Sequence, residues 1–282
     1  MIYFCAALFL EARPFIERYQ LQKTSALKNM QIFQGPAASL IISGAGPTRA
    51  AAAVAHLLTL ISPEHCPGNN LGHLFVNVGL AGSIVFPQGE IVLCHKLTNT
   101  FTGYDFYPEI PFGHGFREGA LGSFGHSIRA ESLPYDLADM EGAFVFEAAE
   151  FFLPLHQIVC LKVVSDQFAP RDVSAETAAA VMRRAADPIA AWIDRETARL
   201  DGAANRFFFS PEELEAMERV RQNLFLTRAM CLALEKACQK AKSREENILS
   251  VLAEAAGSGR GGKNASKPIY ARLMRQLSPT QK

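Results

Sequence analysis

Five short apolar runs lie within residues 1–200, and each breaks off at glycine or a polar residue. They are 2–8 (IYFCAAL), 38–46 (ASLIISGAG), 73–82 (HLFVNVGLAG), 89–97 (GEIVLCHKL) and 157–164 (QIVCLKVV). A strand with one wet face alternates apolar and polar residues, so near-continuous runs of this length belong to strands covered on both faces. Stretches with helical spacing lie between them: LEARPFIERY, PTRAAAAVAHLLTLI with Pro47 in its first turn, DMEGAFVFEAAEFF (139–152) and a long segment over 174–200 with room for a bend at Asp187-Pro188. The alternation predicts an α/β domain with a central sheet flanked by helices. In such sheets ligands bind beyond the carboxyl ends of the strands. Glu11, Ser43-Gly44-Ala45-Gly46, Gly79-Leu80-Ala81-Gly82 and Ser165-Asp166 are all expected at such ends. Lys162 is the one charge inside the last run.

Beyond residue 203 the character changes. Ser210 followed by Pro211 and two acids reads as a helix start, and several helices follow. The chain therefore divides into a domain over 1–203 and a helical extension over 204–282, with 257–267 (GSGRGGKNASK) as a flexible basic linker. Charge is uneven: 14 Lys and Arg stand against 9 Asp and Glu from Asp201 onward, while the whole chain balances at 28 and 28. A balanced chain gives no global electrostatic reason to expect nucleic acid or a membrane as partner. The basic end could touch an anionic partner or stay solvated.

The six cysteines form no CxxC pair, and His65-Cys66 and Cys94-His95 lack metal-ligand spacing. Buried, reduced thiols in a cytoplasmic protein are expected, with neither metal nor organic cofactor. The first ten residues have no basic stretch before them and no small-residue cleavage site after them, so they read as a strand and not a leader. No apolar run reaches the length of a membrane-spanning helix. GAGPTR (44–49) joins strand to helix but lacks the third glycine of a dinucleotide loop, and neither a P-loop nor a GxSxG elbow occurs.

Five segments in order, AALFLEARPFI, SGAGPTRAAAAVAHLL, VNVGLAGSI with GEIV, DMEGAFVFEAA and LKVVSD, resemble the nucleosidase branch of the purine nucleoside phosphorylase-like superfamily. 5′-Methylthioadenosine/S-adenosylhomocysteine nucleosidase is the nearest type, and futalosine hydrolase is related. The resemblance covers residues 1 to about 200 and implies a three-layer nucleoside phosphorylase-like fold, a homodimer, and hydrolysis of a purine nucleoside, with a 5′-substituted adenosine as substrate. It implies that Asp166 protonates the leaving base, that Glu11 holds the attacking water, and that Glu141 binds the ribose hydroxyls with Met140 packed on the sugar. Ser165 and Gly79 would complete the binding surface. Such a division suits an oxocarbenium-like transition state, which needs a proton for the leaving group, a guided water and negative charge near the sugar.

Phosphorylases of the superfamily carry a glycine- and arginine-bearing phosphate loop after the first strand. Glu11 stands there in this chain, which favours water, and Arg13 and Arg49 are the nearby cations that could contest it. A phosphorylase and a non-catalytic nucleoside-binding protein are the alternatives. Two departures bear on the site, the first on the water and ribose contacts and the second on the base. Leu80 follows Asn77-Val78-Gly79, where a small hydroxyl residue is frequent, and the glycine-rich stretch 111–138 is shorter than its counterpart. That stretch is not expected to hold the strand and helix found there in the resembled enzymes. Tyr104, Phe106 and Tyr107 could line a pocket, or pack in the core or at a dimer contact.

Overall fold

The computed structural model describes residues 1–27, 30–60, 73–111, 113–128, 132–168, 174–207, 209–244, 246–258 and 263–277. They form two compact units, Met1–Leu200 and Asp201–Lys282.

The first unit is an α/β sandwich of three layers. Its strands are β1 (Ile2–Ala6), β2 (Gln22–Leu27), β3 (Met30–Gln34), β4 (Ala38–Ile42), β5 (Leu74–Gly82), β6 (Ile91–Asn99), β7 (Tyr104–Phe106), β8 (Arg117–Ser123), β9 (Leu137–Asp139) and β10 (Ile158–Asp166). The helices are α1 (Phe9–Arg18), α2 (Pro47–Leu60), α3 (Gly142–Ala149) and α4 (Ala175–Phe207), the last continuing through Pro188 and beyond Leu200. The strand order is β10-β6-β8-β9-β5-β1-β4-β3-β2, with β7 on β6 and a further pairing of β10 with β5. That pairing closes β5, β10, β6, β8 and β9 into a ring, from which β1 to β4 extend as an open sheet.

The buried strands place alternate side chains in two separate cores, as the two-residue strand period requires. Ile2, Phe4 and Ala6 face one side with Leu40, Val76 and Val163, where Phe15 of α1 and Val181, Met182, Ile189 and Ile193 of α4 cover them. Tyr3 and Cys5 face the other with Ile41, Phe75 and Cys160, covered by Val54 and Leu57 of α2 and Val145 and Phe146 of α3. The continuous apolar runs are the product of this double covering.

Three expectations change. Glu11 is not at a strand end: β1 stops at Ala6, and Glu11 lies in the first turn of α1, where its carboxylate accepts from the N–H groups of Ala7 and Leu8. An acid here meets backbone donors that an opening helix leaves unpaired. The stretch 111–138 does hold a strand, β8, despite its glycines. It survives because it is paired on both sides, in parallel with β6 (Val92↔Arg117 to Asn99↔Ser123) and with β9 (Leu121↔Leu137 to Ser123↔Asp139). Among its described residues no helix occurs. In the supposed linker, 257–258 end a helix and 263–267 begin another, leaving 259–262 outside the described residues.

The second unit contains α5 (Pro211–Asn223), α6 (Arg228–Ser243), α7 (Ile248–Ser258) and α8 (Lys263–Leu277) around its own core of Val220, Leu234, Cys238, Leu252 and Leu273. Ser210 caps α5 by accepting from the Glu213 N–H at 3.2 Å, and Glu213 returns the bond to the Ser210 N–H. No helix among the described residues is long and apolar enough to cross a membrane.

Candidate active site

The neighbours of β5 change along its length, and the site begins there. β1 pairs with β5 only as far as Asn77, and β9 touches it only at Gly82. Between those points one edge of β5 has no strand partner, and a buried N–H without an acceptor is costly. Glu11 fills the gap: its Oε1 accepts from the Leu80 N–H at 2.8 Å, while Oε2 accepts from Ala7 at 3.0 Å and Leu8 at 2.8 Å. The side chain is buried. Burial raises its pKa, and the Leu80 N–H, Lys162 and the other two N–H groups partly offset that rise. Gly79 stands behind it, where an added Cβ would come within 3.1 Å of Glu11 Oε1.

Above Glu11 opens a cavity of about 240 Å³. Glu11, Met140, Glu141, Ser165 and Asp166 all line it, so five of the six expected site residues converge on one space; Gly79 lies outside it, in contact with Glu11. Each has a holder. Glu141, at the start of α3, accepts from the Gly46 N–H at 2.7 Å, which ties it to the loop between β4 and α2. Asp166, paired with Gly82 at the end of β10, accepts from Ser165 Oγ at 2.6 Å and from the Phe168 N–H at 3.0 Å. Those two donors fix the plane of its carboxyl group.

Two residues that the sequence reading gave no role complete this wall, Asp139 in its lining and Lys162 behind it. Lys162 is buried in β10, and its Nζ is 2.9 Å from Asp139 Oδ2 in a pair almost wholly removed from solvent. Asp139 also accepts from Ser123 Oγ at 2.5 Å and the Gly142 N–H at 2.8 Å, so its lone pairs are well used. Burial, the largest single influence, would discharge Lys162, but the charge and hydrogen bond of Asp139 together with Cys160 and Glu11 outweigh it, and the ammonium pKa is raised. Glu141 responds to this surrounding. Burial and the Asp139 charge push its pKa up to about 7, against the pull of the Gly46 N–H and Lys162. Lys162 was visible as the lone charge in an apolar run. Asp139 was visible as the first letter of DMEG.

The remaining expected residues lie elsewhere. Arg13 is exposed and paired with Glu17, and Arg49 is also exposed. Among the described residues no arginine or lysine lines the cavity. Tyr104 and Tyr107 are exposed at β7, and Phe106 packs on Phe146, with ring centroids 5.8 Å apart. None of the three lines the cavity. His65-Cys66 falls outside the described residues.

Among solved structures this architecture recurs. The chain is similar to 5′-methylthioadenosine/S-adenosylhomocysteine nucleosidase from S. pneumoniae with a transition-state inhibitor, at 19% identity and a TM-score of 0.53, covering 68% of this chain and 97% of that one. It is similar to Arabidopsis thaliana 5′-methylthioadenosine nucleosidase, at 16% identity and a TM-score of 0.54, over 71% and 96%. It is also similar to futalosine hydrolase of Helicobacter pylori, at 14% identity and a TM-score of 0.54, over 69% and 97%. The fold is that of the nucleoside phosphorylase-like nucleosidases. No protein-family model and no curated protein sequence matches the chain. Coverage of this nucleosidase fold leaves a share of the chain unmatched, while nearly all of each neighbour is spanned.

Proposed function

We propose that the chain hydrolyses the N-glycosidic bond of a purine nucleoside, with a 5′-substituted adenosine as the substrate class. The observation that carries this reading is the convergence of Glu11, Glu141 and Asp166 on one cavity in which no described arginine or lysine offers a phosphate seat. Asp166 gives a proton to a ring nitrogen of the base as the bond from the anomeric carbon to the base breaks. Water forms the new bond to that carbon, and its proton passes to Glu11. Glu141 accepts from the ribose hydroxyls, and Met140 packs on the sugar. Lys162, charged and fixed by Asp139, stabilises the ionised forms of Glu11 and Glu141 around the cationic sugar.

The test is chromatographic release of free base from 5′-methylthioadenosine, 5′-deoxyadenosine, S-adenosylhomocysteine, futalosine and inosine, each with and without phosphate. Release independent of phosphate is expected, and strict dependence on phosphate would replace hydrolysis by phosphorolysis. Asp166→Asn should cost about 10²- to 10⁴-fold in turnover, the usual contribution of a general acid, with the fold retained. Full activity in that variant removes Asp166 from the mechanism. Binding of a nucleoside without any turnover would leave a non-catalytic binding protein.

We also propose a homodimer through the outer face of α2 and α3. Phe151 just beyond α3 is 80% exposed and forms part of a largely apolar hollow of about 530 Å³ with Ala51, Ala55, Phe144, Glu147, Ala148 and Phe152. An exposed ring in a hollow that alanines also line is self-complementary about a two-fold axis. Light scattering should give twice the chain mass, and Phe151→Glu should halve it; an unchanged mass in both sinks the proposal. A cytoplasmic setting suits the free, buried Cys5, Cys94, Cys160 and Cys238.

A further inference from the structure

Among the described residues three that are not glycine hold a positive φ: Gln20 at 52°, Phe225 at 51° and Phe168 at 54°. Such backbone is costly for a bulky side chain. Gln20 and Phe225 have an ordinary reason, since each stands just past the C-cap of a helix, where left-handed backbone closes the last turn. Phe168 has no such reason. It follows a strand, β10, and lies two residues beyond Asp166. Strain of this kind gathers at ligand sites, so the outlier points to one.

The backbone around Phe168 is tied down at several points. The Phe168 N–H donates to Asp166 Oδ1 at 3.0 Å, the Ser83 N–H donates to the Asp166 carbonyl at 3.0 Å, and Gln88 Nε2 donates to the Ser165 carbonyl at 2.7 Å. The turn carries the Phe168 ring onto Gly82, the residue of β5 in register with Asp166. A Cβ on Gly82 would fall 2.4 Å from the ring, so only glycine leaves room for it. Part of the ring is thereby seated on the sheet, and Phe168 is half-buried. Phe168 also lines the cavity, with Gly82, Ser165 and Asp166 around it. Among the described residues it brings the only phenyl ring to that lining. The carboxyl groups of the cavity serve the edges of a ligand through hydrogen bonds, and none of them suits the flat face of a heterocycle. An aromatic side chain held in a fixed place does.

Resting on the nucleosidase reading, we propose that Phe168 is a binding residue for the base, its ring stacking on the face of the heterocycle whose edge nitrogen meets Asp166. The left-handed turn and the bare Gly82 set the place of the ring. One short segment thus supplies both the acid and the platform, and the contact belongs to the base and not to the sugar.

The test is calorimetric binding of adenine and of 5-methylthioribose, the two products expected from 5′-methylthioadenosine, to the full chain as wild type, Phe168→Tyr, Phe168→Leu and Phe168→Met. Neither ligand needs turnover. Leucine and methionine keep apolar bulk over Gly82 without a π-face, and methionine adapts to the space if the branch of leucine disturbs the turn. Both variants should bind adenine about tenfold more weakly than wild type, the loss of one base stack. Phe168→Tyr keeps the π-face and should stay within about twofold of wild type. Affinity for 5-methylthioribose should be the same in all four. Bound adenine should lose ultraviolet absorbance in wild type and keep it in Phe168→Leu, a mark of stacking that a mere prop for the cavity wall does not leave; where the sugar binds too weakly to measure, this signal decides. Unchanged adenine affinity in Phe168→Leu and Phe168→Met overturns the proposal. So does an equal loss for both ligands, and so does no measurable binding of adenine by wild type. Base release from nucleosides is scored separately. Release with adenine affinity indifferent to Phe168 rejects only the stacking role, and Phe168-dependent adenine binding without release from any nucleoside rejects only the hydrolase.

Discussion

Glu141 takes opposite demands from the fold and from its proposed ligand. Desolvation first, then the charges of Asp139 on β9 and Glu11 on α1, favour its neutral form, while the Gly46 N–H and Lys162 on β10 favour the ionised one. The balance stands at about 7, above the ordinary 4.5 of a glutamate. The sign for stability follows: a carboxyl with a raised folded-state pKa gives stability that is full below the unfolded value and is lost as pH rises through the folded one. The melting temperature of the free protein should therefore fall between about pH 5 and pH 8. Glu141→Gln should flatten most of that fall. Glu11, raised in the same direction, accounts for a residual slope. Nucleoside affinity should move the other way and strengthen through the same window, because the ionised form is the better acceptor for ribose hydroxyls. Scanning calorimetry and binding titrations across that range check both. Identical pH profiles for wild type and Glu141→Gln would show that Glu141 does not titrate there. Lys162 and Asp139 belong to the same accounting. A buried pair rarely adds net stability, but removal of one member strands a charge, so the pair commits the site to one electrostatic arrangement.

At the scale of elements, the strands legible in the sequence are those whose two faces are both covered. β1, β4, β5, β6 and β10 are close to the apolar runs, and α1 to α4 are close to the helical stretches, because burial on both sides writes itself into composition. β2 and β3 were not legible. QKTSAL and MQIFQ form an outer antiparallel hairpin beyond β4, and an edge with one solvated side carries a weak pattern. β7 and β9 have three residues each, and their pairing partners define them more than their own letters do. The same division holds in the cavity. Glu11, Met140, Glu141, Ser165 and Asp166 could be named because each adjoins an element that the apolar pattern marks or a segment that carries the resemblance. Phe168 could not, because its place depends on left-handed backbone after β10 and on the space that Gly82 leaves, neither of which its own letter marks.

The whole molecule is two cores on one chain. Residues 1–200 bury a sheet between two helical layers, whereas α5 to α8 enclose a core of their own with Met217, Val220, Leu234, Cys238, Leu252 and Leu273. Within this unit Ser210 and Glu213 form the capping box of α5, Thr227 caps α6, Tyr270 donates to the Met230 carbonyl at 3.0 Å, and Lys242 pairs with Glu213. A unit with its own core and its own satisfied helix ends has what it needs to melt as its own cooperative step. Scanning calorimetry of the full chain should therefore resolve two transitions. Leu252, fully buried in α7, provides the assignment: Leu252→Ala leaves a cavity in that core and should cost about 2–5 kcal/mol there. It should lower one transition, leave the other in place, and leave base release unaltered at temperatures below both. A single transition that moves as one with Leu252→Ala would mean that the two units unfold as one cooperative body.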